Sequence, residues 1–401
     1  MSAFVSILGL ALLILVHEAG HFFTARAVGM RPRKFYLGFP PALAKVKRNG
    51  IEYGVGAIPL GGYVKIPGMH RPAAQDLEIH LGRAVHEAPE LAGPLARVQR
   101  ALEQEDFDEA RAELPELRRA VQESQLSPPS LARAERGLGD VEDALAPDAY
   151  WRASSWKRVL VIFAGPGTNI LFAIALFTIA LSLGTGAYRL GFVLQAKGAH
   201  ATGVVDAVDT SKPAGAIGLK PGDRIRAVNG SPVQPDDISS RIRASHGAAI
   251  ALTVERDGRR VVLPAARPLK DKGETVPAAF VHSIRATGEI TKEIGSSLVG
   301  LVHSSGRDQI SSPVGIVRGS SEAVRAGTQE YLTVLGLISL SLALLNLLPL
   351  LPLDGGHIAF SLIEGVRRRA VPRAVYERVS AVGIALVLLL FFLGLNNDLG
   401  G

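Results

Sequence analysis

The chain contains no cysteine. That excludes a disulfide framework, a thiol nucleophile and thiolate metal ligands, though it does not identify a compartment. No basic residue precedes the first apolar run, and His17, Glu18 and His21 interrupt that run, so it does not read as a cleaved signal peptide. Charge is also missing from long stretches further on: residues 159–183, 331–353 and 379–395 hold no Asp, Glu, Lys or Arg.

Those three runs, with residues 3–28, are what the sequence does have. The chain is 47% hydrophobic with a mean hydropathy of +0.23. The apolar residues are bunched into these four runs, and ordinary polar sequence lies between them. Each run approaches the ~20 residues that carry a helix across ~30 Å of hydrocarbon. The fold class expected is an α-helical polytopic membrane protein of about four spans, with a membrane-side β element and one PDZ-like α+β domain. The lipid bilayer is its first partner. The net charge of +7 needs no nucleic acid to explain it, because much of the basic charge flanks the runs. Arg31, Arg33, Lys34, Arg152, Lys157 and Arg158 lie between the first and second runs, and Arg367, Arg368, Arg369 and Arg373 between the third and fourth. By the positive-inside tendency both loops are cytoplasmic, so the termini and the loop from 184 to 330 lie outside.

The expected organisation is a first transmembrane helix over 1–30, a β segment over 31–71, an insert over 72–150, and a second transmembrane helix over 156–184. A PDZ-like domain over 198–268 follows, then a linker and amphipathic segment over 280–330. An interrupted third helix over 331–357 and a fourth over 379–396 complete the chain. Within the β segment, β-branched and aromatic residues are broken by Gly and Pro, as in Pro59-Leu60-Gly61-Gly62-Tyr63-Val64-Lys65. The insert is rich in Ala, Glu, Asp and Arg. Leu91, Leu95, Val98 and Leu102 recur at helical spacing, as do Phe107, Ala110, Leu114, Leu117 and Val121. It reads as an acidic amphipathic helical hairpin packed on itself, or as a partner-docking surface. In the outer loop, Gly222-Asp223 and Asn229-Gly230 are turn dipeptides bracketing a strand in which Ile225 and Ala227 alternate with arginines.

His17-Glu18-Ala19-Gly20-His21 is an H-E-x-x-H pattern. On an α-helix its histidines are ~400° apart in rotation and ~6 Å in rise, so they share one face. Two imidazoles can then meet one metal, and Glu18 lies beside them as a base for the attacking water. The alternative is a polar helix end with incidental histidines. Its weakness is place, since ionisable groups within a span cost a few kcal/mol each and usually mark function. Zinc of this kind takes a third protein ligand and keeps one open position. Asp354 is the other candidate in the apolar part of the chain, following Pro349 and Pro352, which cannot continue a regular helix. His357 is read as a nearby hydrogen-bonding group.

With these residues in place, the chain resembles the site-2 protease family of intramembrane zinc metalloproteases in its bacterial, PDZ-containing form. The matching segments are His17–His21, Pro59–Lys65, Ala164-Gly165-Pro166-Gly167-Thr168-Asn169, the PDZ-like stretch, and Asn346 to His357. The resemblance implies Zn2+ bound by His17, His21 and Asp354, with Glu18 as general base. It implies that Gly61, Gly62 and Tyr63 belong to a β element that holds unwound substrate as an added strand. Asn169 and Asn346 would steady substrate backbone or the developing oxyanion; a packing amide is the other reading of Asn169. The implied substrate is a single-span transmembrane protein, trimmed outside beforehand and cut toward the cytoplasmic side of a bacterial inner membrane in regulated intramembrane proteolysis. The PDZ-like domain would bind a peptide C-terminus or exclude bulky ectodomains.

Three features depart from the family's usual pattern: Gly38-Phe39-Pro40-Pro41, Ser311-Ser312-Pro313-Val314-Gly315-Ile316, and the acidic insert, which has no familiar counterpart. Two other functions fit these residues less well. A scaffold with a structural metal would be expected to lack Glu18. A membrane-anchored metallopeptidase for soluble substrates would usually draw its third ligand from a Glu on a later helix.

Overall fold

The first apolar run folds as α1, Ser2–Ala27. Its buried residues Ser6, Gly9, Leu13, His17 and Gly20 recur every three to four positions, so the helix turns a single stripe toward the protein. Phe4, Leu8, Leu12, Leu15 and Phe23 are exposed on its other sides. The Met30 N–H bonds the Ala25 carbonyl at 2.9 Å and closes the last turn. This computed structural model describes residues 1–184, 186–197, 200–302 and 312–399. Two compact units are present: Met1–Ile174 with Thr287–Ala326 and Val334–Gly401, and Ala175–Ala286 with Gly327–Thr333.

After α1 the first unit forms two long strands, β1 (Lys34–Arg48) and β2 (Ile51–Lys65). They curl, so that the start of β1 is paired on both sides. Residues 34–37 run alongside 52–55 in the same direction and against 62–65 in the opposite one, while 44–48 pair with 51–55. The result is four strand segments in the order 44–48, 52–55, 34–37, 62–65, with 62–65 at one edge. Tyr36 and Tyr63 stack across this sheet at 5.2 Å, and Phe39 stacks on Tyr63 at 6.4 Å. The Tyr36 hydroxyl donates to Glu52 at 2.6 Å; that bond, with burial, pushes its pKa up to about 12 and keeps it a donor.

The insert folds as four helices: α2 (Ala74–Glu87), α3 (Ala92–Glu103), α4 (Phe107–Glu123) and α5 (Pro128–Leu145). Leu81, Leu91, Val98, Leu117, Leu138 and Leu145 are among the residues of one shared core. The Asp106 carboxylate accepts the Glu109 N–H and caps α4. Carboxylates at the end of the insert clamp the sheet. Arg33 meets Asp143 at 2.8 Å and both oxygens of Asp148 at 3.1 Å, while Lys65 meets Asp140 at 2.6 Å and Asp143 at 2.9 Å. Burial alone would lower the Lys65 pKa, but the two carboxylates raise it, so the amine stays charged.

The second apolar run gives α6, Ser155–Leu183. The other unit contains the short strand β3 (Tyr188–Arg189) and a sheet in the order β4-β5-β6-β8-β9. Its members are β4 (Phe192–Lys197), β5 (His200–Val208), β6 (Arg224–Val228), β8 (Leu252–Arg256) and β9 (Arg259–Val262). Helix α7 (Pro213–Ala216) follows β5, β7 (Ser231–Pro232) pairs with β6, and α8 (Ile238–Ala244) packs Ile238 and Ile242 into the core beside Ile225, Leu252 and Val254. The sheet begins at Phe192, ahead of the expected start at 198, because β4 pairs with β5. Residues 198 and 199 lie outside the described residues. Buried Asp223 accepts the Lys220 N–H at 2.9 Å and two bonds from Arg256 at 2.7 Å each.

Strand β10 (Leu269–Lys270) pairs with β3. The segment expected as a linker is largely helical, as α9 (Val276–Val302) and α10 (Pro313–Ala326). Ser311 of the variant motif lies outside the described residues, and the Ser312 N–H donates to Asp398 at 2.6 Å. The third run forms α11 (Thr328–Asn346), a non-helical turn around Pro349 and Pro352, and a new helix α12 (Asp354–Arg367) that continues beyond the expected limit of 357. The fourth is α13, Arg373–Leu399, longer than its apolar core at both ends. Among the described residues, four helices are long and apolar enough to cross a membrane: Ser2–Ala27, Ser155–Leu183, Thr328–Asn346 and Ala374–Asp398.

Candidate metal centre

His17 and His21 lie on the one stripe of α1 that faces protein, 8% and 7% exposed. Asp354 reaches them from the first turn of α12. It stands there because the prolines end α11 and let the chain restart with its carboxylate beside a helix N-terminus, a favourable place for an anion. Three atoms converge. His17 Nε2 and His21 Nε2 are 3.3 Å apart, and Asp354 Oδ2 is 3.2 Å from the first and 3.4 Å from the second.

This triangle fits zinc. Nitrogen and oxygen ligands about 2.0–2.1 Å from a tetrahedral zinc stand roughly 3.3 Å from one another. The tautomers agree as well. His21 Nδ1 lies 2.9 Å from the Val161 carbonyl, so it must carry the proton and donate, which leaves the Nε2 lone pair free. Among the described residues, neither His17 Nδ1 nor Asp354 Oδ2 has a hydrogen-bond partner. A buried carboxylate oxygen facing two imidazole nitrogens and otherwise unpaired suits a cation held between them.

Helix α6 closes one side of the triad. A β-carbon on Gly165 would overlap the His21 ring, and Thr168 donates to the Val16 carbonyl at 3.1 Å. One turn beyond Gly165, Asn169 is fully buried, and among the described residues neither amide atom has a hydrogen-bond partner. Its backbone carbonyl accepts from Ser339 of α11 at 2.9 Å. The sheet closes another side. A β-carbon on Gly62 would come within 2.8 Å of Glu18 Cγ, so edge segment 62–65 lies directly against the Glu18 side chain.

The structure thus brings His17, His21 and Asp354 together, with Glu18 and Gly62 beside them and Asn169 one turn from the Gly165 contact. Tyr63 instead joins the aromatic stack, and Gly61 faces Phe39. Asn346 is the last residue of α11, one turn past buried Ala343, and among the described residues no hydrogen bond links it to the triad. His357 Nδ1 shares a hydrogen bond of 2.5 Å with the Tyr376 hydroxyl. The sequence places Gly165 in a family-matching segment without showing its contact with His21, and it gives no sign of the Val161 carbonyl's role; a run of small residues permits close helix approach but does not say to what.

Two imidazoles and a carboxylate around one point, with a second carboxylate beside them on an apolar helix, define a membrane-embedded zinc metalloprotease. The comparisons agree. The profile of Peptidase family M50 matches residues 5–390, and the chain belongs to that family, the site-2 proteases. It is similar to the zinc metalloprotease RasP of Geobacillus kaustophilus, at 28% identity over 96% of this chain and 95% of that one. It is also similar to the Enterococcus faecalis protein named probable protease eep, at 26% identity over 97% and 96% of the two chains. A Brucella suis protein bearing a zinc metalloprotease name is 26% identical over 97% of this chain and 93% of its own. The chain is a zinc metalloendopeptidase.

Proposed function

We propose that this protease hydrolyses peptide bonds of single-span membrane proteins within or beside the bilayer, acting on substrates already trimmed outside. We place it in a bacterial inner membrane, with its termini outside and its active site toward the cytoplasm. His17, His21 and Asp354 hold the metal in this reading. The observation that carries it is the convergence of these three groups with Glu18 against an edge strand segment.

Bound in the triad, zinc supplies Lewis-acid polarisation of the scissile carbonyl and a lowered pKa for the attacking water. The Glu18 carboxylate takes the proton from that water and delivers it to the leaving amine. A transmembrane helix hides its carbonyls in its own hydrogen bonds, so the substrate must unwind first. Segment 62–65 offers backbone groups to the unwound chain as a neighbouring strand, and the absence of a side chain on Gly62 lets that chain approach Glu18. The unpartnered amide of Asn169 is available to substrate backbone or the developing oxyanion. The sheet with α8 across it supports reading residues 192–268 as a PDZ-like domain that binds or screens the outer ends of substrates.

The test is reconstitution of the full chain in vesicles with a single-span substrate. Cleavage is expected, with loss on chelation. Glu18→Gln should retain zinc and lose cleavage. Near-normal cutting by Glu18→Gln would sink the mechanism.

A further inference from the structure

The helix that begins with Asp354 is patterned in the reverse of an ordinary surface helix. Its polar residues turn inward. Ser361 meets the Tyr150 hydroxyl at 3.1 Å, and Glu364 accepts from Arg158 of α6 at 2.5 Å and from the Val371 N–H at 2.9 Å. Leu362, Ile363 and Val366 turn outward and are 53%, 44% and 85% exposed. At ~100° per residue these three fall within about 100° of one another, opposite Ser361 and Glu364. Directly after Val366 come Arg367, Arg368 and Arg369, all exposed. Among the described residues, none of the three has an ion pair or a side-chain hydrogen bond. Arg368 is left-handed, at φ 52°, and ends the helix. Residues 355–397 hold five arginines and two acids, Glu364 and Glu377, and both oxygens of Glu364 are already taken.

The start of α6 lies at the same level. A β-carbon on Gly365 would come within 2.9 Å of the Ser155 hydroxyl, so the two helices touch there. The next residue of each helix is exposed: Val366 on α12, and Trp156, at 61%, on α6. Lys157 stands 5.9 Å from the Trp156 ring centroid and donates to the Val28 carbonyl just past α1 at 3.2 Å. An exposed tryptophan with basic residues at the end of apolar helices is the pattern found between hydrocarbon and headgroups.

We propose that Arg367, Arg368 and Arg369 bind the headgroup of an anionic phospholipid whose acyl chain lies along Leu362, Ile363 and Val366. The inference goes beyond the proteolytic reading and does not depend on any substrate. Charge names the headgroup, because guanidinium groups pair with phosphate oxygens and basic clusters beside a span attract anionic lipid. The adjoining apolar face favours a lipid over an acidic peptide or free phosphate, neither of which would cover it. The site lies at the far end of α12 from Asp354, about 20 Å along the axis.

The experiment uses the full chain in lipid discs. The sequence holds two tryptophans, Trp151 and Trp156, so Trp151→Phe leaves Trp156 as the only emitter. Phosphatidylglycerol or phosphatidylcholine, brominated high on the acyl chain, is titrated into discs of plain phosphatidylcholine, and quenching is compared. Half-quenching by the anionic lipid is expected at about a tenfold lower mole fraction, and the gap should narrow in high salt. Changing Arg367, Arg368 and Arg369 together to glutamine should bring the two lipids level. The lysine counterpart, which keeps the charge, should retain most of the gap. Millimolar glycerol phosphate should leave the quenching unchanged, because it lacks the acyl chain. Equal quenching by the two lipids in the parent would overturn the proposal and leave the arginines to an acidic segment of another protein. A gap that survives the glutamine change, is lost equally with lysine, or is abolished by glycerol phosphate would overturn it too.

Discussion

Gly165 of α6 stands against the imidazole of His21 so closely that a β-carbon at this position would overlap the ring. The Val161 carbonyl, one turn earlier on the same helix, holds the ring's other nitrogen at 2.9 Å. Helix α6 therefore sets both the tilt and the tautomer of one proposed ligand. Gly165→Ala is expected to push His21 off this bond and weaken zinc binding by about 10- to 100-fold, the usual cost of disturbing a ligand's outer partner. Chelator competition measures the affinity and circular dichroism checks that helix content is kept. An unchanged affinity would mean that the ring has room the structure does not show.

The ligand set makes a separate prediction about stoichiometry. The purified chain should carry one zinc, lose activity when a strong chelator removes it, and recover when zinc is returned. His21→Ala and Asp354→Ala should each lose both metal and cleavage. Full zinc occupancy in Asp354→Ala, read by elemental analysis, would take the aspartate out of the set.

Acid should loosen the sheet-containing unit through Asp223. Burial pushes this carboxyl's pKa up, but the Arg256 guanidinium and the Lys220 N–H outweigh it and the net shift is downward. A folded pKa below the unfolded ~3.9 stabilises above about pH 4, and the contribution is lost as pH falls through the folded value. Asp223→Asn should cost about 3 kcal/mol at neutral pH, the low end for breaking a buried pair because Arg256 stays partly in water. Denaturant titrations of the detergent-solubilised chain at pH 7 and pH 3 should show the difference between parent and variant shrinking in acid.

Topology is open to direct labelling. A tag near Ser127 in the insert should be protected in intact cells, whereas one near Lys212 should be reachable from outside. The reverse pattern would refute the orientation.

The parts of this site that are local in the chain are visible in its sequence. H-E-x-x-H has the helical period built into its spacing, and two prolines just ahead of Asp354 announce a break in an apolar helix. The insert's leucines and valines likewise betray helices by period alone. What could not be read is pairing at a distance. The double use of residues 34–37 depends on β2 bending back at 56–61, and period-2 alternation carries no mark of that. The clamp of Arg33 and Lys65 onto Asp140, Asp143 and Asp148 joins segments whose charges, in sequence, look like ordinary solvated residues. Gly62 and Gly165 are likewise just two of 43 glycines until the fold sets one against Glu18 and the other against His21.

The proposed metal ligands come from the first helix and from one near the end of the chain, and this has a consequence for biosynthesis. A nascent chain that has inserted α1 owns two of the three proposed ligands and the proposed general base, but not Asp354. Until α12 has been made and has folded back onto α1, the growing protein cannot complete its own zinc cage. With those ligands, the enzyme stays dormant until α12 is made, when all but the last few dozen of its residues have been synthesised.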